Sequence, residues 1–320
     1  MIEFAWILLL AAILDAAFGD PDRLYRAVPH PVVLMGRIIG WMDRRFNDSR
    51  AAEPQRKRNG IIAVLALTAG SLALGWALDN LLRQTWLGCL IEAALASTLI
   101  AQRSLYDHVA AVARALVRDG LSAGRAAVAK IVGRDTAELD EAGVSRAALE
   151  SLAENLSDGV TAPLFWGLLL GLPGLIAYKA INTADSMIGH RTPRHQAFGW
   201  APARFDDLLN LGPARLCGVI VAGATIFVRG ADANRALQAM WRDAPKHRSP
   251  NAGWPEAALA GALGLAIAGP RRYHGVEVND AYMGAGGRAD LTAADIRRGL
   301  KLFVAACALQ LGIIAIIALL

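Results

Sequence analysis

The chain has 320 residues, of which 55% are hydrophobic and 19% are charged, and its formal net charge is +5. Soluble domains carry about 25% charged residues, so this apolar content exceeds what one modest core can bury. The composition excludes a disordered chain. The three cysteines form no CxxC or Cys/His cluster, which excludes a disulfide framework and a zinc site. The sequence therefore predicts an integral membrane protein, whose charge suits cytoplasmic loops, an anionic membrane surface or acidic substrates.

Four apolar segments are long enough, or nearly so, to cross a bilayer, which takes about 20 apolar residues in a helix. They cover residues 4–18, 61–78, 85–102 and 302–320. The first segment has no basic residues before it and contains Asp15, so it is not expected to be a cleaved signal peptide.

Arginine and lysine accumulate in cytoplasmic loops and therefore predict the orientation of the spans. The loop 19–60 is rich in arginine, whereas the loop between the second and third apolar segments holds only Arg83 as a basic residue. The loop 19–60 and the stretch 103–159 are therefore predicted to be cytoplasmic, and both termini to lie outside. This predicts a multi-pass protein of the cell inner (cytoplasmic) membrane with its active site facing the cytoplasm.

Three further apolar stretches, 160–177, 213–228 and 256–268, do not have the pattern of ordinary spans. The first is interrupted by Leu172-Pro173-Gly174, a strong turn signal, and the third is too short. If 160–177 crossed the membrane, the polar sequences at its two ends would face opposite compartments. We therefore predict a helical hairpin and re-entrant or interfacial elements, which membranes tolerate where irregular backbone is buried in protein.

The predicted fold is an all-α integral membrane protein with about four spanning helices, re-entrant or interfacial helices and a cytoplasmic helical insert. In the insert, Leu105, Val109, Val112 and Leu116 recur at helical spacing. No stretch alternates with period two, so strands should be scarce. No linker or repeat divides the chain, which predicts a single domain over 1–320. Its expected parts are three spans in 1–102, the insert 103–159, a motif-bearing core 160–301 and the last span 302–320.

Polar clusters interrupt the apolar background at 19–37, 131–136, 150–159, 178–187 and 204–207. Each cluster by itself has a simple structural explanation. Glu150, Glu154 and Asp158 share one helix face with Arg146, as a solvated face with an Arg–Glu ion pair would. The adjacent Asp206 and Asp207 suit a helix N-terminus.

Taken together these clusters are harder to explain as structure alone, because carboxylates and amides are expensive near lipid. Oxygen ligands of this kind suit Mg²⁺, which proteins hold by one or two carboxylates plus substrate phosphates. Arg134, Lys179, Arg204 and Arg215 lie among them and suit anionic groups. The residues alone predict a membrane protein with a cytoplasm-facing, magnesium-dependent, phosphate-handling site.

Six sequence blocks, in this order, resemble the CbiB/CobD family, the adenosylcobinamide-phosphate synthases (cobinamide synthases) of cobalamin biosynthesis. The resemblance extends from Asp15 to about Gly275. The blocks are Gly19-Asp20-Pro21 to His30-Pro31, IVGRDT at 131–136, ESLAENLSDGVTAPLFW at 150–166, AYKAINTADSMIGH at 177–190, ARFDDLLNLGPARL at 203–216 and SPNAGWPEAALAGALG at 249–264.

The resemblance implies an amide ligase. Such an enzyme joins the corrinoid adenosylcobyric acid to (R)-1-amino-2-propanol or its O-phosphate, with ATP as co-substrate and Mg²⁺, at the lipid bilayer. It also implies no nucleic-acid partner, and it leaves open a homo-oligomer or a complex with other membrane enzymes of cobalamin assembly. ATP use rests on the resemblance alone, because no GxxxxGK[ST] or GxGxxG motif opens a helix here.

Candidate site residues follow from this chemistry. We predict Glu154, Asp158 and Asp185 as catalytic magnesium ligands and Asp206 or Asp207 as the catalytic base on the amine side or a further ligand. The remaining predicted substrate or phosphate contacts are Arg134, Asp135, Asn155, Lys179, Asn182, Arg204, Asp20 and His30.

Two other classes of function stay open. One is a magnesium-dependent intramembrane transferase acting on lipid diphosphates, whose mark would be a DxxxD on each of two spanning helices, and no such pair is found. The other is a non-catalytic membrane transport module, which would carry repeat symmetry between two halves, and none is detected.

Overall fold

The computed structural model describes residues 2–273, 276–278 and 280–320. The expected end of the resemblance, near Gly275, lies outside the described residues. Helices dominate what is described. They are α1 (Ile2–Phe18), α2 (Asp22–Ala27), α3 (Pro31–Phe46), α4 (Glu53–Leu82), α5 (Trp86–Ser97), α6 (Gln102–Arg118), α7 (Gly120–Val128), α8 (Glu141–Leu156), α9 (Ala162–Ile188), α10 (Trp200–Leu209), α11 (Leu211–Ala224), α12 (Ala233–Asp243), α13 (Gly253–Leu263) and α14 (Ala293–Leu319).

The strands are short, as the absence of period-two alternation predicts. They are β1 (Ile267–Ala268), β2 (Arg271–Tyr273), β3 (Val276–Val278) and β4 (Tyr282–Met283). They form two antiparallel pairs, β1 with β4 and β2 with β3. In the first pair Ile267 lies opposite Met283.

The described chain divides into two compact units. Unit 1 comprises 1–101, 162–210 and 314–320, and unit 2 comprises 102–161 and 211–313. The chain passes between the units several times, so each unit is assembled from separate segments. This explains why the sequence contains no single linker that would mark two domains, and why one domain was the expectation.

In unit 1, α4 packs along α9 and approaches its neighbours closely at two glycines. A Cβ at Gly60 would lie 2.9 Å from the carbonyl carbon of Phe198, and a Cβ at Gly75 would lie 2.8 Å from the nitrogen of Pro173. These glycines are about four helical turns apart. Neither position leaves room for a side chain, so backbone contact holds α4 against its neighbours near both ends of its apolar stretch.

Within α9 the chain reverses direction at Gly171, whose φ of 67° and ψ of −157° are not helical and whose φ favours glycine. A Cβ at Gly174 would lie 2.6 Å from the carbonyl oxygen of Trp166, although a straight helix would separate these residues by about 12 Å. The arms 162–170 and 172–188 therefore form a helical hairpin. The predicted interruption at Leu172-Pro173-Gly174 is confirmed, and 160–177 is not one straight helix.

In unit 2, α13 is buried along its whole length and packs against α8, α11 and α12. Its small residues allow the close approach: a Cβ at Gly261 would lie 2.6 Å from the Ala239 Cβ. On α11, which also packs against α12, a Cβ at Gly218 would lie 2.5 Å from the sulfur of Met240 on α12. Helices α6 and α7 pack on α8, so the predicted insert is helical, while its cytoplasmic location stays a prediction.

Three described helical runs are long and apolar enough to cross a membrane: Glu53–Leu82, Glu141–Ile188 and Ala293–Leu319. A fourth arises if Trp200–Leu209 and Leu211–Phe227 are counted together. The run Glu141–Ile188 contains the hairpin and is therefore not one straight rod. The described chain is thus nearly all-α and has the helices of a multi-pass membrane protein, as predicted.

Two of the four predicted spans differ from what is found. Phe4–Phe18 is apolar but belongs with the shorter helices of 10–17 residues rather than with those of spanning length. In place of an apolar helix over 85–102, α5 has 12 residues, or about 18 Å, against a hydrocarbon core of about 30 Å. The Thr85 hydroxyl accepts a hydrogen bond from the Gly88 N–H and begins the helix, and a turn follows Ser97. Contrary to the prediction, this segment is too short to cross a bilayer as one helix.

Candidate functional site

A row of polar side chains connects the second arm of α9 with α10 inside unit 1. It comprises Tyr178, Asn182 and Asp185 on α9, with Asp206 on α10 and Asn210 at its end. We call these five residues the polar seam. The helical period explains the row, because residues three or four apart share one face of a helix.

Hydrogen bonds across the polar seam converge on Asp206, which is 7% exposed. Asn182 Nδ2 donates to its Oδ1 at 3.3 Å, and Asn210 Nδ2 donates to its Oδ2 at 3.0 Å. Tyr178 donates its hydroxyl proton to Asn210 Oδ1 at 3.0 Å. Tyr178 orients Asn210, and Asn210 and Asn182 orient Asp206, so the position of the buried carboxylate is determined by both helices.

The first arm of the hairpin also contacts this region. Trp166 donates its indole N–H to the carbonyl oxygen of Leu209 at 3.2 Å, one residue before Asn210. Because Trp166 and Tyr178 belong to opposite arms, both arms hold the end of α10. The reversal at Gly171 is therefore what brings the two aromatic residues to one place.

Negative charge accumulates beside the polar seam. Asp185, Asp206 and Asp207 are close enough for their carboxylates to repel one another, and Arg204 partly offsets this charge. Arg204 Nη1 lies 2.9 Å from Asp207 Oδ2. Among the described residues, no basic side chain lies within 4.0 Å of the carboxylate of Asp185 or of Asp206. Two neighbouring carboxylates thus lack a direct cationic partner in the part of the chain that the structure describes.

This donor set has the oxygen chemistry of a magnesium site, and a bound Mg²⁺ stays a prediction. Two carboxylates with no basic partner favour a bound cation, because buried charges require pairing or metal coordination. The ligands available are oxygens, which Mg²⁺ prefers, and its usual complement is one or two carboxylates plus substrate phosphates. Asp185 and Asp206 are the residues that would hold it.

The loop after α9 is fixed by a buried aspartate that sequence reasoning missed. Arg194 donates to Asp43 Oδ2 from Nε at 3.0 Å and from Nη2 at 2.7 Å, and Asn47 donates to Asp43 Oδ1 at 2.7 Å. Burial alone would raise the pKa of Asp43, but the hydrogen bonds from Asn47 and Arg194 outweigh it and lower the pKa. The network ties α3 to the segment that carries His190 and Arg191.

The predicted ligands Glu154 and Asp158 lie in unit 2. Glu154 is exposed near the end of α8, and Asp158 lies in the π-helical turn Ser157–Thr161 that follows. The helix continues through this π-helical turn, whose wider period shifts Asp158 relative to the face that carries Glu150 and Glu154.

The described residues contain no group of three or more His, Cys, Asp or Glu side chains arranged to hold a metal. The magnesium site predicted from Glu154, Asp158 and Asp185 stays a prediction. Asn155 was expected to complete that site, but its Nδ2 donates to the carbonyl oxygen of Ser151 at 2.9 Å.

Arg134 belongs to an ion pair in unit 2. Its Nη2 lies 2.9 Å from Glu150 Oε2, and the two side chains are 8% and 6% exposed. Glu150 Oε1 also accepts a hydrogen bond from the Ala268 N–H at 3.0 Å. An ion pair of Arg146 with a glutamate was expected on this helix face. Arg146 instead donates to the carbonyl oxygen of Ala289, and Glu150 pairs with Arg134.

Two other predicted or candidate contacts, Asp135 and Arg215, have partners within the protein. Asp135 Oδ1 accepts the Ala137 N–H at 3.0 Å and forms a turn. Arg215 stacks over the Trp254 ring at 4.4 Å. Lys179 is half-buried on α9, one residue after Tyr178.

Asp20 and His30 are brought together at the start of α3. The Val32 N–H donates to His30 Nδ1 at 3.2 Å, and His30 Nε2 lies 3.0 Å from Asp20 Oδ1. The Tyr25 ring packs edge-on against the imidazole at 4.5 Å. His30 thus caps α3 and orients the preceding loop.

Tyr178 and Asn210 were not among the predicted site residues, although both lie inside the quoted blocks. Tyr178 precedes Asn182 by four positions, and Asn210 follows Asp206 by four. Helical spacing was therefore the signal that would have found them. Asp206 and Asp207 lie in the second half of α10, so the simple explanation of a helix N-terminus is wrong.

Helices long and apolar enough to cross a membrane, a helical hairpin and a buried polar seam are compatible with a multi-pass membrane protein that carries a carboxylate-rich site. The family model described as CobD/Cbib protein matches residues 8–303, and the chain belongs to this family.

Relatives with curated names are similar to this chain over nearly its full length. A protein of Sinorhizobium sp. named cobalamin biosynthesis protein CobD is 50% identical over 98% of both chains. Proteins of the same name from Rhizobium meliloti (strain 1021) and Rhodobacter capsulatus are 49% and 47% identical, covering 96% and 98% of this chain and 95% and 98% of their own. No solved structure matches the chain significantly.

Proposed function

We propose that this protein is an ATP-dependent amide ligase of cobalamin biosynthesis. It joins adenosylcobyric acid to (R)-1-amino-2-propanol or its O-phosphate, and the product is adenosylcobinamide or its phosphate. Family membership and the names of the relatives support the pathway. The single observation that supports a catalytic site is the pair of carboxylates Asp185 and Asp206 on the polar seam. They lie beside Arg204, and no basic side chain of the described residues is in contact with them.

The reaction sets clear demands. A carboxylate does not condense with an amine in water, because hydroxide is a poor leaving group. ATP converts the carboxylate to an acyl phosphate or acyl adenylate, and the amine then displaces phosphate or AMP and loses a proton. A site for this chemistry must hold two anions together, stabilise a negatively charged tetrahedral intermediate and accept the proton.

In this proposal the polar seam holds the two anions together. Asp185 and Asp206 would hold Mg²⁺, which supplies charge neutralisation for the phosphate groups. Asn182 and Asn210 keep the Asp206 carboxylate in one orientation through their amide N–H groups. Tyr178 and Trp166 close the seam from both arms of the hairpin and limit the access of water.

Basic and acidic side chains near the polar seam have the remaining roles in the proposed reaction. Arg204 and Lys179 bind anionic groups of the substrates, since a guanidinium fork matches carboxylate and phosphate geometry. Asp207, held by Arg204 through Oδ2, accepts the amine proton at Oδ1. Asp206 is more deeply buried than Asp207, which favours Asp206 as the ligand and Asp207 as the base.

Mass spectrometry of the corrinoid product tests the proposal. Purified protein is mixed with ATP, Mg²⁺, adenosylcobyric acid and either aminopropanol or aminopropanol O-phosphate. The expected product has the mass of the corresponding amide and forms only when ATP and Mg²⁺ are both present. Absence of this product with both amines, in well-folded protein, would contradict the proposal. Transfer to a lipid diphosphate in a parallel reaction would support the transferase class instead.

A further inference from the structure

A cavity of about 300 Å³ lies in unit 2 and is lined by none of the residues that the proposed reaction uses. Its walls come from α12, the end of α13 and the turn that follows β4. The residues that matter here are Arg235, Gln238, Arg242, Gly264, Gly286 and Arg288. We call this space the arginine–glycine cavity.

The cavity carries excess positive charge. Asp243 is fully buried and pairs with two cations, Arg242 at 2.6 Å and Lys246 at 3.0 Å. Asp295, 2% exposed, likewise pairs with Arg288 at 2.6 Å and Arg298 at 3.6 Å. Each buried carboxylate therefore balances only one of its two basic partners, and Asp290 adds one further negative charge near Arg288.

Arg235 adds a third guanidinium with a weaker partner. Its Nε lies 3.7 Å from Asp232 Oδ2, and its side chain is 69% exposed. Arg235 is thus the cavity arginine least engaged with the protein, and its removal disturbs no buried ion pair.

A glycine-rich turn forms one wall of the cavity and is held rigidly. Asp243 Oδ2 accepts the N–H groups of Gly284 and Ala285 at 3.1 and 3.0 Å, and Arg242 donates to the Ala285 carbonyl oxygen at 2.8 Å. The same buried aspartate therefore positions both Arg242 and the turn. Because the parts are fixed before any ligand arrives, little ordering would accompany binding.

Two glycines keep the space open. Gly264 and Gly286 have φ values of 67° and 88°, which favour glycine. A Cβ at Gly264 would lie 3.7 Å from the Arg235 guanidinium nitrogen, and a Cβ at Gly286 would meet no heavy atom within 4 Å. Side chains at these positions would occupy space around the arginines that is now free for a ligand.

We propose that the arginine–glycine cavity binds a phosphate-bearing ligand. Guanidinium groups bind phosphate oxygens in pairs of parallel hydrogen bonds, and glycine-rich turns let backbone approach phosphate closely. Of the substrates proposed above, ATP and aminopropanol O-phosphate both carry this group. The identity of the ligand rests on the proposed function, but the chemistry of the cavity does not.

Calorimetric titration of the detergent-purified full chain tests the proposal without any corrinoid. The probes are ATP, aminopropanol O-phosphate, inorganic phosphate and phosphatidylglycerol vesicles, which separate soluble phosphates from a lipid headgroup. Arg235→Gln should weaken binding of the preferred probe about tenfold or more, as loss of a charge-assisted hydrogen bond does. The matched control, Arg118→Gln on exposed α6 surface outside the cavity, should leave binding unchanged.

Two outcomes would overturn the site: wild-type protein that binds none of the four probes, or Arg235→Gln protein that binds them with unchanged affinity. Since Arg235 is exposed, loss of folding does not complicate the variant, and Arg235→Lys should restore part of the affinity by restoring the charge. Failure here is distinguishable from failure of the proposed function, because Asp185→Asn should still bind the probe while losing amide synthesis.

Discussion

Asn182 on α9 and Asp206 on α10 face each other, with 3.3 Å between the amide nitrogen and the carboxylate oxygen. Asp206 is buried and bonded on both oxygens, whereas Asp185, three residues after Asn182, is half-buried. The two neighbouring aspartates therefore differ in what they contribute. Asp206 supports the packing of two helices, and Asp185 is the member whose charge can be removed with least effect on folding.

Asp185→Asn should reduce turnover by about two orders of magnitude or more, because a metal-held charge cluster is a large electrostatic contribution. Excess Mg²⁺ should rescue part of the loss. The protein should still fold, since an amide is cheaper to bury than a carboxylate. Initial rates of amide formation per folded molecule measure this effect. The control is Asp48→Asn, an exposed aspartate of the first loop. Turnover near that of wild type in well-folded Asp185→Asn protein would remove Asp185 from the site.

Gly75→Ala should destabilise the protein by about 1–3 kcal/mol, as overpacking a close contact does. The added Cβ would lie 2.8 Å from the nitrogen of Pro173 and push the hairpin off α4. Gly70→Ala on the same helix is the matched control, because a Cβ there meets nothing within 4 Å. It should be neutral or stabilising by up to about 1 kcal/mol. Thermal unfolding in detergent compares the two, and equal midpoints would show that Gly75 is not a packing contact.

Asp243 should make stability depend on pH in the acid range. Burial acts to raise its pKa, but hydrogen bonds from Arg242, Lys246 and the Ala285 N–H outweigh burial and lower the pKa to about 2. The stabilisation, about 2 kcal/mol, is therefore present above pH 4 and lost as the pH falls from about 4 to about 2.

Unfolding measured between pH 2 and 6 should show this loss in the wild type and a smaller one in Asp243→Asn. That variant should also be less stable at neutral pH by about 3 kcal/mol, because it breaks a buried ion pair. Asp107→Asn, in an exposed pair with Arg103, serves as the control and should leave the midpoint unchanged. An identical pH dependence in wild type and Asp243→Asn would contradict the assignment.

A cysteine at Ser49 should be protected from an impermeant thiol reagent in intact cells, because arginine-rich loops are retained in the cytoplasm. Cys89, Cys217 and Cys307 are the native cysteines and are replaced by serine or alanine beforehand. The same cysteine should be labelled once the cells are opened, which shows that it is reactive. Ready labelling in intact cells would reverse the predicted orientation.

Local pattern predicted much of this molecule. The break near Pro173 is visible in the sequence because a proline and a glycine disfavour a continuous helix wherever the chain is placed. The shared face of Asn182 and Asp185 follows from the helical period. Both features depend on residues within a few turns of one another, so neither requires knowledge of the tertiary structure.

Helix lengths and side-chain contact partners were harder to predict from the sequence. The helix over 85–102 was predicted too long, because apolar composition does not show where a Thr cap starts a helix or a turn ends it. The ion pair of Arg134 with Glu150 joins residues 16 positions apart, so it is apparent only in the folded structure. The sequence contains both residues but does not state that they are 2.9 Å apart.

By itself the sequence determined the membrane class, the family and the helical content, since composition, periodicity and motif order are properties of the chain alone. Only the tertiary structure decided that Asp206 meets Asn182 and Asn210, and that Arg235, Arg242 and Arg288 surround one cavity. The physical reason is that these contacts join residues from separate helices and turns. Their distances depend on how closely the backbones approach, which glycines such as Gly75 and Gly261 permit.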